Sequence, residues 1–288
     1  MSKATRFLAV DWGTTNRRVF LIDQGQVVRT ERDDRGVTAV EDFESDAAGI
    51  RAQFGDLPML MAGMVGSTVG WRVAPYVPAP AGLADLAANL LWIDDRTAIV
   101  PGISTMVGGR PDVMRGEEVQ LLGAVAAGLV PPDSLLCQPG THCKWVEMEA
   151  GRVADFTTAM TGELFAMLRK HGLLAAQLGG EVRPGAAFRE GVEEARRRDL
   201  TASLFGIRAA KMLGVRDDAD AASYASGLLI GSDVAARLAT TGHDTVHILA
   251  DPVLGALYSV AIETLGRSAR LVDSQSAFVA GIIEIRNQ

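Results

Sequence analysis

VDWGTTNRRVFLID, residues 10–23, contains the turn that decides the fold. An apolar run ends at Asp11, crosses a glycine and two threonines, and becomes apolar again within a few residues. Two apolar runs split by glycine and small polar residues are typical of a β-hairpin, so we expect strands over residues 6–11 and 17–23. A second turn then leads into a third expected strand, VVRTER.

The same pattern recurs in SLLCQPGTHCKWVEMEAGRVADF, residues 134–156. An apolar run, a Gly-Thr turn, a strand, a second glycine turn and a third strand follow in that order. Gly25 follows Gly13 by 12 residues, and Gly151 follows Gly140 by 11. Although β-hairpins resemble one another in general, agreement in both order and spacing favours a duplicated domain.

The length of 288 residues suits two domains. We place them at residues 1–130 and 131–288, with Pro131-Pro132-Asp133 as the linker. Apolar residues at spacings of three and four predict most of the helices. Expected helices cover residues 41–54, 162–171, 187–213 in pieces, 219–239, a segment from Pro252, and about 274–287. The last of these could pack back on the first domain.

Composition excludes several classes of protein. The formal charge is −7 without a basic stripe, which argues against a nucleic-acid partner. No run approaches the roughly 20 apolar residues of a membrane span, and MSKATRFLAVDW does not read as a signal peptide, so we expect a cytoplasmic protein without a membrane partner. Cys137 and Cys143 lack a metal-binding pattern and are expected to be reduced thiols.

The opening turn has the residues of a phosphate site. Asp11 at a strand end can hold Mg²⁺ directly or through water. Glycine lets the backbone approach a phosphate, and the residues after it offer donors. The expected phosphate ligands are Gly13, Thr14, Thr15, Asn16 and Arg18. An ordinary hairpin turn would explain the aspartate and the glycine, but explains the threonine pair and the arginine poorly.

These strings resemble known families. VDWGTTNRRVFLID is similar to the first phosphate motif of the superfamily of sugar kinases, hexokinase, actin and the large heat-shock chaperones, and PGTHCKW is similar to the second. Three longer strings together resemble the 2-dehydro-3-deoxygalactonokinase family. They are MAGMVGSTVGWRVAPYVPAPAG (61–82), VMRGEEVQLLGA (113–124) and QPGTHCKWV (138–146).

The resemblance implies an ATP-dependent kinase that phosphorylates the 6-hydroxyl of 2-dehydro-3-deoxy-D-galactonate in galactonate catabolism, with ATP and Mg²⁺ as cofactors. It implies an α/β fold of two duplicated actin-like (ribonuclease H-like) ATPase domains, each a mixed five-stranded sheet flanked by helices, around a central cleft. The first domain would bind the sugar acid and phosphate, and the second the nucleotide.

The second loop supplies further phosphate-binding candidates, Gly140, Thr141, His142 and Lys144. In the superfamily an acid usually occupies this loop, whereas this chain has Gln138, which leaves Asp11 as the main magnesium candidate. Lys144 could reach a phosphate or the substrate acid; the alternative is an ordinary exposed strand residue.

The expected catalytic base lies in PDVMRGEEVQLLGA. In related sugar kinases an acid at a helix start, six to eight residues before a Leu-Gly or similar pair, takes the hydroxyl proton. Glu117 lies six residues before Gly123 and Asp112 eleven, so Glu117 fits the position and Asp112 the usual residue type. Alternatively, Glu117 and Glu118 are acids favoured by the helix dipole.

GMVGSTVGW carries three glycines within nine residues, which predicts backbone folded against a ligand. The sugar acid also needs a cation. The expected substrate-binding residues are Gly66, Ser67, Trp71, Arg72, Tyr76 and Arg115, with Arg110 also available. The alternative is a structural loop with a core tryptophan. YASGLLIG, residues 224–231, is expected to form one wall of an adenosine site.

Other functions stay open at this point. A kinase for the epimeric 2-dehydro-3-deoxygluconate would differ by one or two hydrogen bonds. An actin-like activator ATPase would carry cysteines for an iron-sulfur cluster, and a sugar-sensing regulator would carry a DNA-binding motif. A homo-oligomer is compatible with the apolar helix faces.

Overall fold

The opening meander forms as expected in the computed structural model, which describes residues 6–288. Antiparallel pairing joins β1 (Arg6–Trp12) to β2 (Arg17–Asp23) and β2 to β3 (Gln26–Asp33). The hairpin predicted from the opening motif is confirmed, and its turn exposes the residues that follow β1.

The described chain divides into two compact units. The first comprises residues up to 133 together with 148–156 and 274–288, and the second comprises 134–147 and 157–273. The closing helix therefore belongs to the first unit, although it follows the second along the chain.

The first unit is built on a mixed sheet. Its remaining elements are α1 (Phe43–Phe54), β4 (Met59–Gly63), β5 (Tyr76–Pro78), α2 (Leu83–Ala88), β6 (Leu91–Trp92), β7 (Thr97–Ile99), β8 (Gly102–Val107), β9 (Arg110–Met114) and α3 (Glu117–Ala126). The main sheet has the order β3-β2-β1-β4-β7-β6, in which β4 runs parallel to β1 and β7. A small sheet has the order β5-β8-β9.

The second unit repeats this plan. Its elements are β10 (Ser134–Gln138), β11 (Cys143–Glu149), β12 (Arg152–Ala159), α4 (Thr161–His171), α5 (Ala186–Glu194), α6 (Leu200–Met212), α7 (Asp218–Leu238), β13 (Thr245–Leu249), α8 (Pro252–Thr264) and β14 (Ser268–Val272). Residues at the end of β11 and most of β12 fall in the first unit by their contacts. The chain closes with α9 (Ser274–Asn287).

The sheet of the second repeat has the order β12-β11-β10-β13-β14, which matches β3-β2-β1-β4-β7 of the first. In both, the first meander strand pairs in parallel with the next strand of the sheet. The expected duplicated α/β architecture is confirmed. The first sheet has six strands rather than five, because the short antiparallel strand β6 extends it beyond β7.

Each unit has an apolar core on its sheet. In the first, Trp12 is fully buried, and its ring lies 5.6 Å from that of Phe43 on α1. In the second, Trp145 on β11 packs near Tyr258 on α8, with ring centroids 6.4 Å apart. Among the described residues, no helix is long and apolar enough to cross a membrane.

Candidate active site

Two parallel strands and one helix meet at an edge of the first sheet. β1 and β4 run in parallel, with Trp12 beside Gly63, so both strands end at the same edge. α3 starts there as well. Gly116, just before the helix, has a left-handed φ of 106°, and a Cβ on it would lie 3.0 Å from the Cα of Gly63. This close approach places Glu117, the first residue of α3, at the ends of both strands.

Asp11 and Glu117 affect each other electrostatically. The side chain of Asp11 is 18% exposed, and its Oδ2 lies 3.7 Å from Nε of Arg18. Burial raises the pKa of Asp11, Arg18 opposes the shift, and the charge of Glu117 adds to it. The two carboxyl groups are thus close enough for the charge of one to affect the pKa of the other. A site that aligns a phosphate and a hydroxyl requires acids this close together.

The turn after β1 is held by its carbonyl groups. Val37 N–H donates to Gly13 O at 3.0 Å, Thr38 donates to Thr14 O, and Gly36 N–H donates to Thr15 O at 3.3 Å. Thr14 and Thr15 are exposed, and none of the hydrogen bonds within residues 6–288 uses their N–H groups. Adjacent free amides on a fixed loop favour an anion.

Two arginines extend the positive charge beside this turn. In the strand registers Arg18 lies opposite Asp11, and Arg32 lies opposite Arg18. Directly opposite residues share one face of a sheet, so the three side chains form a row. Arg32 also lowers the pKa of Asp11. Sequence inspection missed Arg32, although the register of the predicted hairpins could have identified it.

The two candidate bases occupy different elements. Glu117 begins α3, is half-buried, and its Oε2 accepts a hydrogen bond from the Arg115 N–H at 3.0 Å. Asp112 lies in β9 of the small sheet, opposite Thr105. The position expected for the base, an acid at a helix start, is therefore that of Glu117.

Glu118, which the sequence suggested only as a helix acid, is fully buried. Its Oε2 accepts a hydrogen bond from Gly116 N–H at 2.6 Å, while its Oε1 has no partner among the described residues. Burial, reinforced by the charge of Glu117, raises the pKa of Glu118 to about 8. An uncharged acid therefore supports the turn that carries Glu117.

The glycine-rich segment after β4 packs on the protein itself. A Cβ on Gly66 would lie 2.9 Å from Ile99 Cγ2, and one on Gly70 would lie 2.3 Å from the carbonyl oxygen of Met64. The ring of Trp71 stacks on Phe43 at 6.3 Å. These contacts favour the structural alternative for the glycines and the tryptophan. Ser67, half-buried, donates to Met64 O at 2.7 Å.

Arg115 ties this segment to α3. Arg115 is 9% exposed, and its guanidinium donates to Ala74 O at 2.7 Å and lies 4.3 Å from the ring centroid of Tyr76. Its Nε and Nη1 have no partner among the described residues, and Nη1 lies 3.0 Å from where a Cβ of Gly66 would be. Arg72, by contrast, is exposed and forms no ion pair within the described chain.

The second loop is held by the start of α4. Glu163 N–H donates to Thr141 O at 2.9 Å, and the Glu163 carboxylate lies 2.6 Å from His142 Nε2. A Cβ on Gly162 would lie 2.4 Å from Gly140 O, so the helix approaches the loop backbone closely. The loop residues Gly140, Thr141 and His142 are exposed beside a helix N-terminus, where anions bind.

Lys144 is buried, so the alternative of an exposed strand residue is wrong. It is 6% exposed, and its Nζ donates to Thr158 Oγ1 at 2.7 Å. Cys137 and Cys143 are free thiols, both buried, with their sulfurs 3.6 Å apart.

A cavity of about 180 Å³ opens next to the second loop. It is lined by Gly140 and Gly162 on the loop side, and by Ser226, Leu229 and Ile230 from the expected YASGLLIG wall. Tyr258 and Leu254 of α8 also line it.

Asp233 stands behind this cavity. It accepts hydrogen bonds from Trp145 Nε1 at 3.0 Å, Thr161 Oγ1 at 2.9 Å and Tyr258 OH at 3.4 Å. Two of these donors, Thr161 and Tyr258, line the cavity, so Asp233 fixes its walls. Sequence inspection gave no signal for it, because its partners lie on three other elements.

The donor set fits a metal that arrives with a nucleotide. Mg²⁺ is usually held by one or two carboxylates together with phosphate oxygens and water. Asp11 offers such a carboxylate beside the free amides of the turn. Residues 6–288 contain no group of three or more acids, histidines and cysteines arranged to hold an ion alone.

Comparison with known proteins decides the family. The sequence profile of the 2-keto-3-deoxy-galactonokinase family matches residues 11–285. The chain belongs to this family. It is 37% identical over 287 residues to the 2-dehydro-3-deoxygalactonokinase of Escherichia coli K12, with 97% of each chain covered.

Solved structures agree with the fold. A crystal structure of a protein from Sinorhizobium meliloti, assigned as a 2-dehydro-3-deoxygalactonokinase, has a TM-score of 0.91 at 37% identity over 97% of each chain. Component A of (R)-2-hydroxyglutaryl-CoA dehydratase from Acidaminococcus fermentans has a TM-score of 0.52 at 10% identity over 96% of each chain. The second likeness concerns the fold alone.

Proposed function

We propose that this member of the 2-keto-3-deoxy-galactonokinase family transfers the terminal phosphate of ATP to the 6-hydroxyl of 2-dehydro-3-deoxy-D-galactonate. The observation that carries the proposal is the meeting of Asp11, the free amides of Thr14 and Thr15 and Glu117 at one edge of the first sheet.

In the proposed reaction Glu117 accepts the proton of the 6-hydroxyl, and the oxygen attacks the terminal phosphorus of ATP while ADP leaves. The amides of Thr14 and Thr15, with Arg18 and Arg32, would hold phosphate oxygens that gain charge. Mg²⁺ bound through Asp11 would neutralise charge on the same oxygens.

For the sugar acid we propose Arg72 as the carboxylate ligand, because it is exposed and forms no ion pair within the described chain. Tyr76, 41% exposed and four residues further along the same segment, is a second candidate ligand. Arg115 is too deeply buried for direct contact and instead positions the segment that carries both.

In the second unit we propose that the cavity beside Gly140 and Gly162 receives adenosine and that the Gly140–His142 loop receives phosphate oxygens. The apolar wall that α7 and α8 give this cavity supports the assignment. Lys144, which follows this loop by two residues, would add positive charge near the phosphate oxygens.

A coupled assay of ADP release tests the proposal. ADP release should require Mg²⁺ and the sugar acid, with kcat/KM higher for 2-dehydro-3-deoxygalactonate than for the gluconate-derived epimer. Steady ADP release without any sugar acid would instead support the activator ATPase. The burial of Cys137 and Cys143 argues against that reading, because a cluster shared between subunits needs accessible thiols.

A further inference from the structure

The first unit contains a second cavity, of about 180 Å³, at the edge of the sheet opposite Asp11. Phe7 and Met59, at the beginnings of β1 and β4, line it, whereas Asp11 and Gly63 lie at the ends of these strands. Trp92 of β6 and the end of α9 complete the wall. No residue of the proposed catalytic site takes part.

Two arginines line this cavity, and they differ in their partners. Arg96 is neutralised by Asp56 through two hydrogen bonds of 3.1 and 2.5 Å. Arg286 forms no hydrogen bond or ion pair with any residue in the described part of the chain, and its Nε is covered. Burial lowers the pKa of the Arg286 guanidinium.

Arg286 is half-buried, and its covered Nε has lost water without gaining a partner, which is unfavourable. The ring of Phe7 compensates little, because its centroid is 5.8 Å from the guanidinium carbon, near the outer limit for a cation–π contact. The C-terminal end of α9 favours a cation but supplies only a partial charge. An anion in the cavity would supply the missing partner.

We propose that this cavity binds a small organic monocarboxylate whose apolar body has about the size of one ring. A carboxylate matches the planar fork of Arg286. The apolar side chains of Phe7, Met59, Leu60 and Trp92 surround the remaining space. The volume is appropriate, because an apolar cavity of about 150 Å³ in another protein accommodates benzene. The proposal does not depend on the proposed kinase activity.

Benzoate is a suitable probe, titrated into the full chain by calorimetry, with thermal unfolding as a second readout. Benzoate should bind the unmodified protein and raise its Tm by mass action. Arg286→Gln should weaken binding about tenfold or more, because a charge-assisted hydrogen bond is lost. Arg96→Gln is the matched control: it removes a neutralised arginine from the same cavity and should change the affinity by less than about threefold.

A third variant tests the cavity even if Arg286→Gln does not fold. Ala87→Leu fills the cavity without changing a charge and should also abolish benzoate binding. Benzyl alcohol and inorganic phosphate, which offer only the ring or only the charge, should each bind more weakly than benzoate. The proposal is overturned if the unmodified protein does not bind benzoate, if Arg286→Gln or Ala87→Leu binds it unchanged, or if phosphate binds as tightly.

Discussion

At the scale of single residues, two acids at one sheet edge have different environments. Asp11 is mostly covered and lies beside arginines, whereas Glu117 is half-buried and held by a backbone N–H. Such a difference suits two roles, in which one carboxylate organises phosphate charge and the other accepts a proton. Glu118 behind them is uncharged near neutral pH.

Asp11→Asn is expected to lower kcat by about 10²–10³-fold or more, because the amide can no longer organise charge at the transferred phosphate. The fold should persist, since the change removes a carboxylate whose burial already raises its pKa. Steady-state kinetics and thermal unfolding of the same preparation check both statements. A nearly normal kcat would refute the role given to Asp11.

Glu117→Gln should lower kcat by about 10²–10⁴-fold while the KM for ATP changes little, because proton transfer is lost but nucleotide contacts remain. Asp112→Asn is the matched control, as this acid lies in β9 away from a helix start. If Asp112→Asn shows the large loss and Glu117→Gln does not, the base is Asp112.

Glu118→Gln should stabilise the protein increasingly as pH rises. The folded state raises the pKa of Glu118 from 4.5 to about 8, so it binds this proton more tightly than the unfolded chain does. The resulting stabilisation is complete below pH 4.5 and is lost between about pH 4.5 and 8. Glutamine resembles the protonated acid and does not lose this stabilisation. The free energy of unfolding of Glu118→Gln should therefore exceed that of the parent by about 1–3 kcal/mol at pH 7.

Urea unfolding of both proteins at several pH values measures the difference for Glu118→Gln directly. The gap in free energy of unfolding between variant and parent should widen from pH 5 to pH 8. A gap that stays constant over this range would show that Glu118 is not held protonated.

At the scale of elements, glycines allow two helix pairs to cross closely. A Cβ on Gly123 of α3 would lie 2.0 Å from Ala277 O of α9, and one on Gly281 would lie 2.1 Å from Val119 O. In the second unit Gly191 of α5 meets α7 in the same way, with 2.1 Å to Tyr224 O. The glycine of the Leu122-Gly123 pair in VMRGEEVQLLGA is thus explained by helix packing.

Gly123→Ala should destabilise the protein by about 1–3 kcal/mol, because the added methyl group forces α3 and α9 apart. Gly49→Ala is the control, since Gly49 is exposed on α1 and no atom lies within 4 Å of its Cβ position. It should stabilise by about 0.5–1 kcal/mol. Urea midpoints measure both, and equal effects of the two substitutions would contradict the packing argument.

Elements with strong local signals were predictable from the sequence. The hairpin turns, the start of α8 at Pro252 and the long α7 follow from glycine spacing, proline position and helical periodicity. The small sheet β5-β8-β9 and the edge strand β6 were missed, because short strands are defined by distant pairing rather than by their own pattern.

The candidate site shows the same limit. Motif spacing identified Asp11, the turn and Glu117, all of which lie at strand or helix ends. It left Asp112 as an alternative base, and it could not show that Glu118 is buried, since only tertiary packing decides which of two neighbouring helix positions faces the core. The glycines near residue 66 were assigned to a ligand, but the protein's own atoms occupy the space beside them.

At the scale of the whole molecule, duplication has given two units with the same strand order and different chemistry. The first carries the acids and a turn with free amides, and the second carries the loop held by α4 and the cavity supported by Asp233. This division suits the proposed kinase reaction, in which the acceptor hydroxyl and the nucleotide base would be bound by different surfaces.

The central claim is that phosphate passes from ATP to the sugar acid rather than to water. ³¹P NMR of a reaction containing the protein, Mg²⁺, ATP and 2-dehydro-3-deoxygalactonate tests it most directly. We expect one new phosphomonoester signal, coupled to the protons on C6, that grows in step with the loss of ATP. Inorganic phosphate in its place, or a phosphomonoester coupled to another carbon's proton, would contradict the account.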